Sequence, residues 1–181
     1  MMASVAAGDL RLWPWLTPAL SRTNTRSLDL EAPQWSMRPS RILLQPDGSY
    51  KVTLDLGNSA PPDWLLQTVP RILQFLNLEP GWNSHSAAPV SLKAAEASLD
   101  VLVMVVSHGS PAPSVVPLST GGLQLEWHTQ GVDLEVAVEH DGTLEVLYED
   151  SQTGEEWERE FDRNLDLLRP TLAVLAQRVT A

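Results

Sequence analysis

The chain has 181 residues, a formal net charge of -11 and no cysteine. This length suffices for one domain with a full hydrophobic core, or for one domain with an additional arm. The lack of cysteine excludes disulfides, thiolate metal sites and cysteine nucleophiles. The longest apolar stretch, Leu99 to Val106, is interrupted by Asp100 and is too short to span a bilayer. The first residues lack the features of a signal peptide, so we expect a cytoplasmic protein without a membrane segment.

Charge is distributed unevenly along the chain. Residues 1–41 carry five arginines against three acids, a formal charge of +2, whereas residues 123–162 carry thirteen acids and one base, Arg159. Such an acidic stretch repels phosphate backbones, so direct nucleic-acid binding is not expected. It attracts basic proteins; the alternative is a solvated face that only confers solubility.

The first part of the chain divides into an arm and the beginning of a domain. Residues 1–40 mix tryptophan and proline without a lasting period, which predicts a poorly ordered arm that packs a tryptophan locally or binds a partner. A single α+β domain is predicted over residues 41–181. Its first element is a hairpin at 41–56, because Asp47-Gly48 separates two strand-like runs.

Helices are predicted within residues 63–107. Asp63 is expected to cap a short helical turn through Leu66, and Pro70 to begin a separate helix. Ser91 is expected to cap a helix from Leu92 to Ser107. The predicted buried stripe of that helix consists of Leu92, Ala95, Leu99, Leu102, Val103 and Val106.

An antiparallel sheet is predicted over residues 113–161, beginning with a proline-rich edge strand. Residues 155–161 fit both a strand and a helix, and the strand is favoured. A C-terminal helix is predicted at 162–180, with a kink near Arg169 because Pro170 lacks a backbone donor. The predicted fold class is therefore α+β: an antiparallel β-meander of four to five strands, with two or three helices packed on one face.

Apolar and polar residues alternate strictly in the meander between Leu123 and Tyr148. One face of the sheet is therefore predicted to be buried in the core and the other to be exposed to solvent. On the wet face we expect Glu126, Glu135 and Glu145 near the middle of neighbouring strands. Like charges in such positions repel each other.

Two segments of the chain resemble a known pattern. Residues 78–89, LEPGWNSHSAAP, resemble "LPxGWDGYGAxP", and residues 121–127 with 134–136 resemble "GGIQLEW…LEIE". In this order, roughly from Ile72 to Tyr148, they resemble a widespread group of small bacterial proteins of uncharacterised function. The resemblance implies domain identity and a bacterial origin, without an activity. Asn83, Ser84 and Ser86 replace the Asp, Gly and Gly of the pattern, and positions that match it include Trp82, Gln124, Glu126, Trp127 and Glu135.

No phosphate-binding loop, nucleophile elbow or H-E-x-x-H motif is present. We therefore predict a non-catalytic binding or regulatory protein without a cofactor. Its acidic sheet face, Trp82 loop or N-terminal arm would engage a protein partner that is basic or encoded nearby. The candidate binding surface consists of Trp82, Asn83, His85, Gln124, Glu126, His128, Glu135 and Glu145.

Two alternatives remain open. One histidine and two carboxylates can hold a divalent cation or act as an acid–base pair, so Glu126, His128 and Glu135 form the candidate site of a metal-dependent hydrolase. A third interpretation is that the carboxylate face mimics nucleic acid and occupies a basic cleft.

Overall fold

The computed structural model describes residues 39–58, 60–161 and 165–180, which belong to one compact unit, Ser36–Ala181. Nearly all of the predicted arm, 1–40, lies outside the described residues, as does the beginning of the predicted C-terminal helix, 162–164. The described part contains three helices, a five-stranded antiparallel sheet and a two-stranded sheet. The predicted α+β fold class with a β-meander is therefore confirmed.

The two-stranded sheet pairs β1 (Arg41–Leu44) with β2 (Tyr50–Thr53), and the five-stranded sheet follows two helices. The helices are α1 (Asp63–Phe75), α2 (Leu92–Ser107) and α3 (Arg169–Thr180), and a 3-10 turn at Leu165–Leu168 precedes α3. The strands of the larger sheet are β3 (Ser114–Pro117), β4 (Leu123–Thr129), β5 (Val132–Val138), β6 (Leu144–Asp150) and β7 (Glu155–Phe161).

Strands β3 to β7 lie side by side in sequence order, each antiparallel to the next. Successive side chains of a strand point to opposite faces, so the alternating sequence produces one apolar face. This face is fully buried in the three central strands. Its residues are Leu123, Leu125, Trp127, Val132, Leu134, Val136, Val138, Leu144, Val146 and Tyr148.

Helix α2 lies at the centre of the core, where it contacts α1, α3, β1, β4 and β5. Ser91 caps it as predicted: its hydroxyl accepts a hydrogen bond from the Ala94 N–H at 3.0 Å. The predicted single stripe is wrong at Leu92, which is 46% exposed. The helix is instead buried on several sides at once, from Val101 to Val105, because neighbours surround it.

Helix α1 runs through Pro70 without a break, so the prediction of two separate helices was wrong. Leu65, Thr68 and Ile72 are buried at helical spacing on both sides of the proline, and this shared packing outweighs the missing backbone bond. Pro70 and Leu66 both lie on the exposed side, where water can donate to the carbonyl group that loses its helical partner. The N-cap is Pro62 and makes no side-chain cap, so Asp63 is the first helical residue.

The conformations of the remaining elements are explained by the elements that lie beside them. Strand β3 is an edge strand, where proline is tolerated because no partner needs its missing N–H. Residues 155–161 form a strand because β6 supplies an open edge for pairing. The C-terminal segment changes from a 3-10 turn to α-helix between Leu168 and Arg169, next to the predicted kink. No helix in the described part of the chain is long and apolar enough to cross a membrane.

Candidate functional site

The face of the five-stranded sheet opposite the core carries eight acidic side chains, and we call it the acidic face. It continues from β4 onto the edge strand β7, because the register places β7 glutamates beside β6 glutamates. None of the strand residues on this face is lysine or arginine, and His128 is its one basic group. The acids are Glu126, Asp133, Glu135, Glu145, Glu149, Glu156, Glu158 and Glu160.

Seven of these carboxylates form four directly opposed pairs, since Glu149 belongs to two of them. Glu126 is opposite Glu135 on β4 and β5, and Asp133 is opposite Glu149 on β5 and β6. On β6 and β7, Glu145 is opposite Glu160 and Glu149 is opposite Glu156. Directly opposed residues have their Cβ atoms about 4.5–5.5 Å apart, and like charges at this distance destabilise a sheet. The acidic face therefore carries repulsion that the fold itself does not require.

Gln124 relieves the central pair. Its side-chain Nε2 donates hydrogen bonds to Glu126 Oε1 and to Glu135 Oε2, each at 3.0 Å. The two N–H groups of one amide thus bridge two carboxylates without adding charge. The side chain of Glu126 is only 22% exposed, so water alone screens it poorly. Among the candidate residues of the acidic face, Gln124, Glu126 and Glu135 are joined by side-chain hydrogen bonds.

His128 lies near the end of β4, where its main partner is Asp133. The Nδ1 atom lies 2.8 Å from Asp133 Oδ1, and Nε2 lies 3.9 Å from Glu126 Oε2. The hydrogen bond to Asp133 raises the pKa of His128 above its ordinary value; slight burial opposes the rise, and the charges of Asp133, Glu126 and Glu135 add to it. Asp133 was not among the predicted site residues. Its signal is the Gln130-Gly131 turn, where both residues have positive φ and fix the β4–β5 register.

Glu145 does not lie where the sequence placed it. It is the second residue of β6, and its neighbours are Ala137 on β5 and Glu160 on β7. The residue opposite Glu135 is Leu147, a half-buried apolar side chain on the acidic face. Carboxylates therefore surround a small apolar area formed by Leu147 and Ala137.

The Trp82 loop, residues 81–89, is organised by its own hydrogen bonds. The indole N–H of Trp82 donates to the Ala88 carbonyl at 3.1 Å. Asn83 Oδ1 accepts from the backbone N–H groups of His85 and Ala87. The Trp82, Asn83 and His85 side chains thus use their described hydrogen bonds to shape the loop.

The position of this loop separates it from His128. The loop joins the β3–β4 turn through the bond from Ala88 N–H to the Ser119 carbonyl at 2.8 Å. Leu123, which follows that turn, is five residues from His128 along the extended strand β4, about 17 Å at the usual rise. Gln124 is the acidic-face candidate nearest to the loop in the chain, and His128 belongs to the opposite end of the sheet.

Two glycines make the junction between loop and sheet possible. A Cβ atom on Gly121 would lie 2.8 Å from the Pro89 carbonyl oxygen, and one on Gly122 would lie 2.3 Å from the Val138 carbonyl oxygen. Neither distance is compatible with a side chain. The Gly121-Gly122 sequence therefore has a packing reason: Gly121 lies against the loop at Pro89, and Gly122 lies against β5 at Val138.

Among residues 39–58, 60–161 and 165–180, no group of three or more histidine or acidic side chains is arranged to hold a metal ion. Glu126 and Glu135 direct an oxygen each toward Gln124, and His128 turns toward Asp133. The arrangement suits the binding of cationic groups by many separate carboxylates.

Fold and site together define an α+β domain with an open, acidic β-sheet face. No protein-family model matches the chain, and no similar protein was found among curated proteins or solved structures. The resemblance to the small bacterial proteins stays a prediction. The function is therefore inferred from the residues of the acidic face.

Proposed function

We propose that this protein is a binding module that engages a basic protein partner through its acidic face. The observation that carries the proposal is the set of four directly opposed carboxylate pairs. Each pair costs stability, and none of them has a lysine or arginine beside it on the face. A partner that supplies lysine or arginine side chains would convert this repulsion into attraction.

The shape and composition of the face support a protein partner. The strand residues form rows about 6.7 Å apart along each strand and about 4.8 Å apart across the sheet. Leu147 and Ala137 provide a small apolar area between the carboxylates. A surface with both elements fits a basic partner that also buries an aliphatic group, because interfaces combine an apolar centre with a polar rim.

The experiment compares two variants with the same charge. In the face variant, Glu145→Gln, Glu156→Gln and Glu158→Gln reduce the net charge from -11 to -8 and remove one member of both β6–β7 pairs. In the control variant, Asp55→Asn, Asp63→Asn and Glu79→Gln make the same change in charge away from the sheet. Both variants and the wild type are used to capture proteins from cells that naturally produce the chain.

We expect the wild type and the control to retain the same basic partner, and the face variant to lose it. Binding should also weaken steeply between 0.15 M and 1 M salt, where the screening length falls from about 8 Å to about 3 Å. Equal capture by all three proteins, or capture that is insensitive to salt, would contradict the proposal.

A further inference from the structure

The two outer strands of the five-stranded sheet, β3 and β7, differ in the backbone groups that they leave free. In an antiparallel pair, residues whose N–H and C=O groups bond across the pair alternate with residues whose groups point away from it. At the β5–β6 turn, the Glu139 N–H bonds to the Thr143 carbonyl at 2.8 Å. The next residue, Leu144, therefore directs its backbone groups toward β7, where it is paired with Phe161.

This alternation leaves every second residue of β7 with its backbone groups directed away from the sheet. Phe161, Arg159 and Trp157 bond to β6, and the residues that point outward are Glu156, Glu158 and Glu160. Each of the three is exposed and has both an N–H donor and a C=O acceptor. Among the described residues, no backbone hydrogen bond outside the sheet involves any of them. Such a row of free donors and acceptors is a template for pairing with another chain.

The edge at β3 is less suited to pairing. The Leu118 N–H bonds to the Gly122 carbonyl of the β4 side at 3.0 Å, so the outward residues of β3 are Val115 and Pro117. Pro117 has no N–H to donate, and helix α1 lies beside this strand. Strand addition is therefore hindered at β3 and open at β7.

The side chains of β7 determine which chain can pair with it. The three outward residues carry their carboxylates on the acidic face, whereas Trp157 and Arg159 lie on the other side of the strand. A second copy of β7, paired antiparallel along this edge, would place glutamate directly opposite glutamate, which is destabilising. A strand with lysine or arginine at alternate positions would place opposite charges there instead. Arg159 disfavours a further cation at the intervening positions.

We propose that β7 binds an extended basic segment of the partner by antiparallel strand addition, which extends the five-stranded sheet by one strand. This inference rests on the proposed function, because it takes the partner to be basic. In antiparallel pairing, directly opposed residues share a face and exchange their backbone hydrogen bonds. The partner residues that face Glu156, Glu158 and Glu160 with lysine or arginine therefore also supply the N–H and C=O groups that bond to β7. Uncharged residues between them lie on the side of Trp157.

The experiment uses a capped peptide, acetyl-Thr-Lys-Thr-Lys-Thr-Lys-Thr-amide, and the full chain. Backbone amide resonances and their hydrogen exchange are followed by NMR. In the free protein, the amides of Trp157 and Arg159 should exchange slowly because they bond to β6, and those of Glu156, Glu158 and Glu160 should exchange fast. The peptide should shift the resonances of the three outward amides and slow their exchange.

Two methylated forms of the peptide separate strand addition from attraction by charge alone. Methylation of the three lysine backbone nitrogens removes the donors that point toward β7. Methylation of the last three threonine nitrogens keeps the same charge and the same number of methyl groups, but removes only donors that point away. We expect the first form to bind about tenfold or more weakly than the unmodified peptide, and the second to bind nearly as well as it does. Equal binding of the two methylated forms would overturn strand addition and leave the attraction of a basic partner by the acidic face in place.

Protein variants test the same contact from the other side. Glu158→Pro removes one outward donor and one charge, and Glu158→Gln removes the charge alone. Proline is tolerated on an edge strand when its nitrogen faces outward, as Pro117 does on β3. We expect the proline variant to bind the unmodified peptide several-fold more weakly than the glutamine variant. If Glu158→Pro does not fold, Glu156→Pro replaces it, with Glu156→Gln as its control.

Three further outcomes would overturn the inference. These are equal affinities of the proline and glutamine variants, peptide shifts confined to β4 and β5, and a wild-type dimer that forms through β7, detected by sedimentation and by slowed exchange of the outward amides. Failure of the unmodified peptide to shift any amide would also overturn strand addition. The capture experiment with the face variant then decides the proposed function separately.

Discussion

Glu126 and Glu135 face each other across β4 and β5 and share the side-chain amide of Gln124. This contact separates two parts of the acidic face. The central pair has an internal donor, and in the pair Asp133–Glu149 the aspartate contacts His128. Glu145–Glu160 and Glu149–Glu156 have no donor among the described hydrogen bonds. The outer pairs, on β6 and the edge strand β7, are consequently the ones that a basic partner would stabilise most.

The Gln124 bridge leads to the first prediction. Gln124→Met preserves the size of the side chain but removes both donors, so the two carboxylates repel each other without compensation. We expect the free energy of unfolding to fall by about 1–2 kcal/mol, measured by urea denaturation at low salt. The matched control introduces the same change into a Glu135→Gln background, where only one of the two carboxylates remains. An equal loss in both backgrounds would show that the bridge does not act through charge.

The second prediction concerns pH. The folded-state pKa of His128 lies above its ordinary value of 6.5, so protonation of His128 stabilises the folded state. This stability is fully present below pH 6.5 and is lost as the pH rises through the raised pKa. Because the side chain is 54% exposed, the effect should be small.

Two variants test this interpretation. Asp133→Asn should lower the pKa of His128, because it removes the carboxylate that accepts from Nδ1, and the NMR titration of the imidazole ring measures this shift. His128→Gln should flatten the dependence of the unfolding free energy on pH above 6.5. A raised pKa that persists in Asp133→Asn would assign the shift to the other carboxylates of the face.

The sequence predicted those parts of the fold that depend on local pattern. Strict alternation between Leu123 and Tyr148 was sufficient for the meander and its two faces, and Ser91 for the beginning of α2. Local pattern was insufficient where contacts between residues far apart in the sequence determine the structure. Packing of Leu65 and Ile72 keeps α1 continuous through Pro70. Helix α2 is buried on several sides because other elements surround it.

The candidate site was predicted less completely for the same reason. Gln124, Glu126 and Glu135 were identified, but their contact depends on the β4–β5 register. That register also brings Asp133 to His128, and pairing with β7 adds Glu156, Glu158 and Glu160 to the face. Carboxylates of β7 could be assigned to the face only after residues 155–161 were known to be a strand.

Gly122 gives the third prediction. A methyl group at this position would lie 2.3 Å from the Val138 carbonyl oxygen, so Gly122→Ala forces β4 and β5 apart where the loop joins them. We expect a loss of about 3 kcal/mol or more in unfolding free energy. Gly109→Ala is the control: Gly109 has a φ of +70° but nothing within 4 Å of a new Cβ, and should cost about 1–2 kcal/mol. A smaller loss for Gly122→Ala than for Gly109→Ala would contradict the steric argument.

The fourth prediction concerns the ion pair that connects β6 with α3. Arg178 Nη2 donates to Asp150 Oδ2 at 2.5 Å, and the side chain of Asp150 is 2% exposed. Burial disfavours the ionised form of Asp150, but hydrogen bonds from the Gln152 N–H and from Arg178 outweigh it and hold the pKa below its ordinary value of 3.8. Its contribution to stability is therefore present above pH 3.8 and is lost as the pH falls through the lowered pKa.

Removing one partner of the ion pair should destabilise the protein more than removing both. Arg178→Met leaves a buried carboxylate without its cation, so we expect a marked loss of stability at neutral pH. Asp150→Asn still accepts the Gln152 N–H, and the double variant should therefore recover part of this loss. Urea denaturation of the four proteins at neutral pH measures the coupling. If the two single losses simply add in the double variant, Arg178 and Asp150 act independently and the pair does not hold α3 against the sheet.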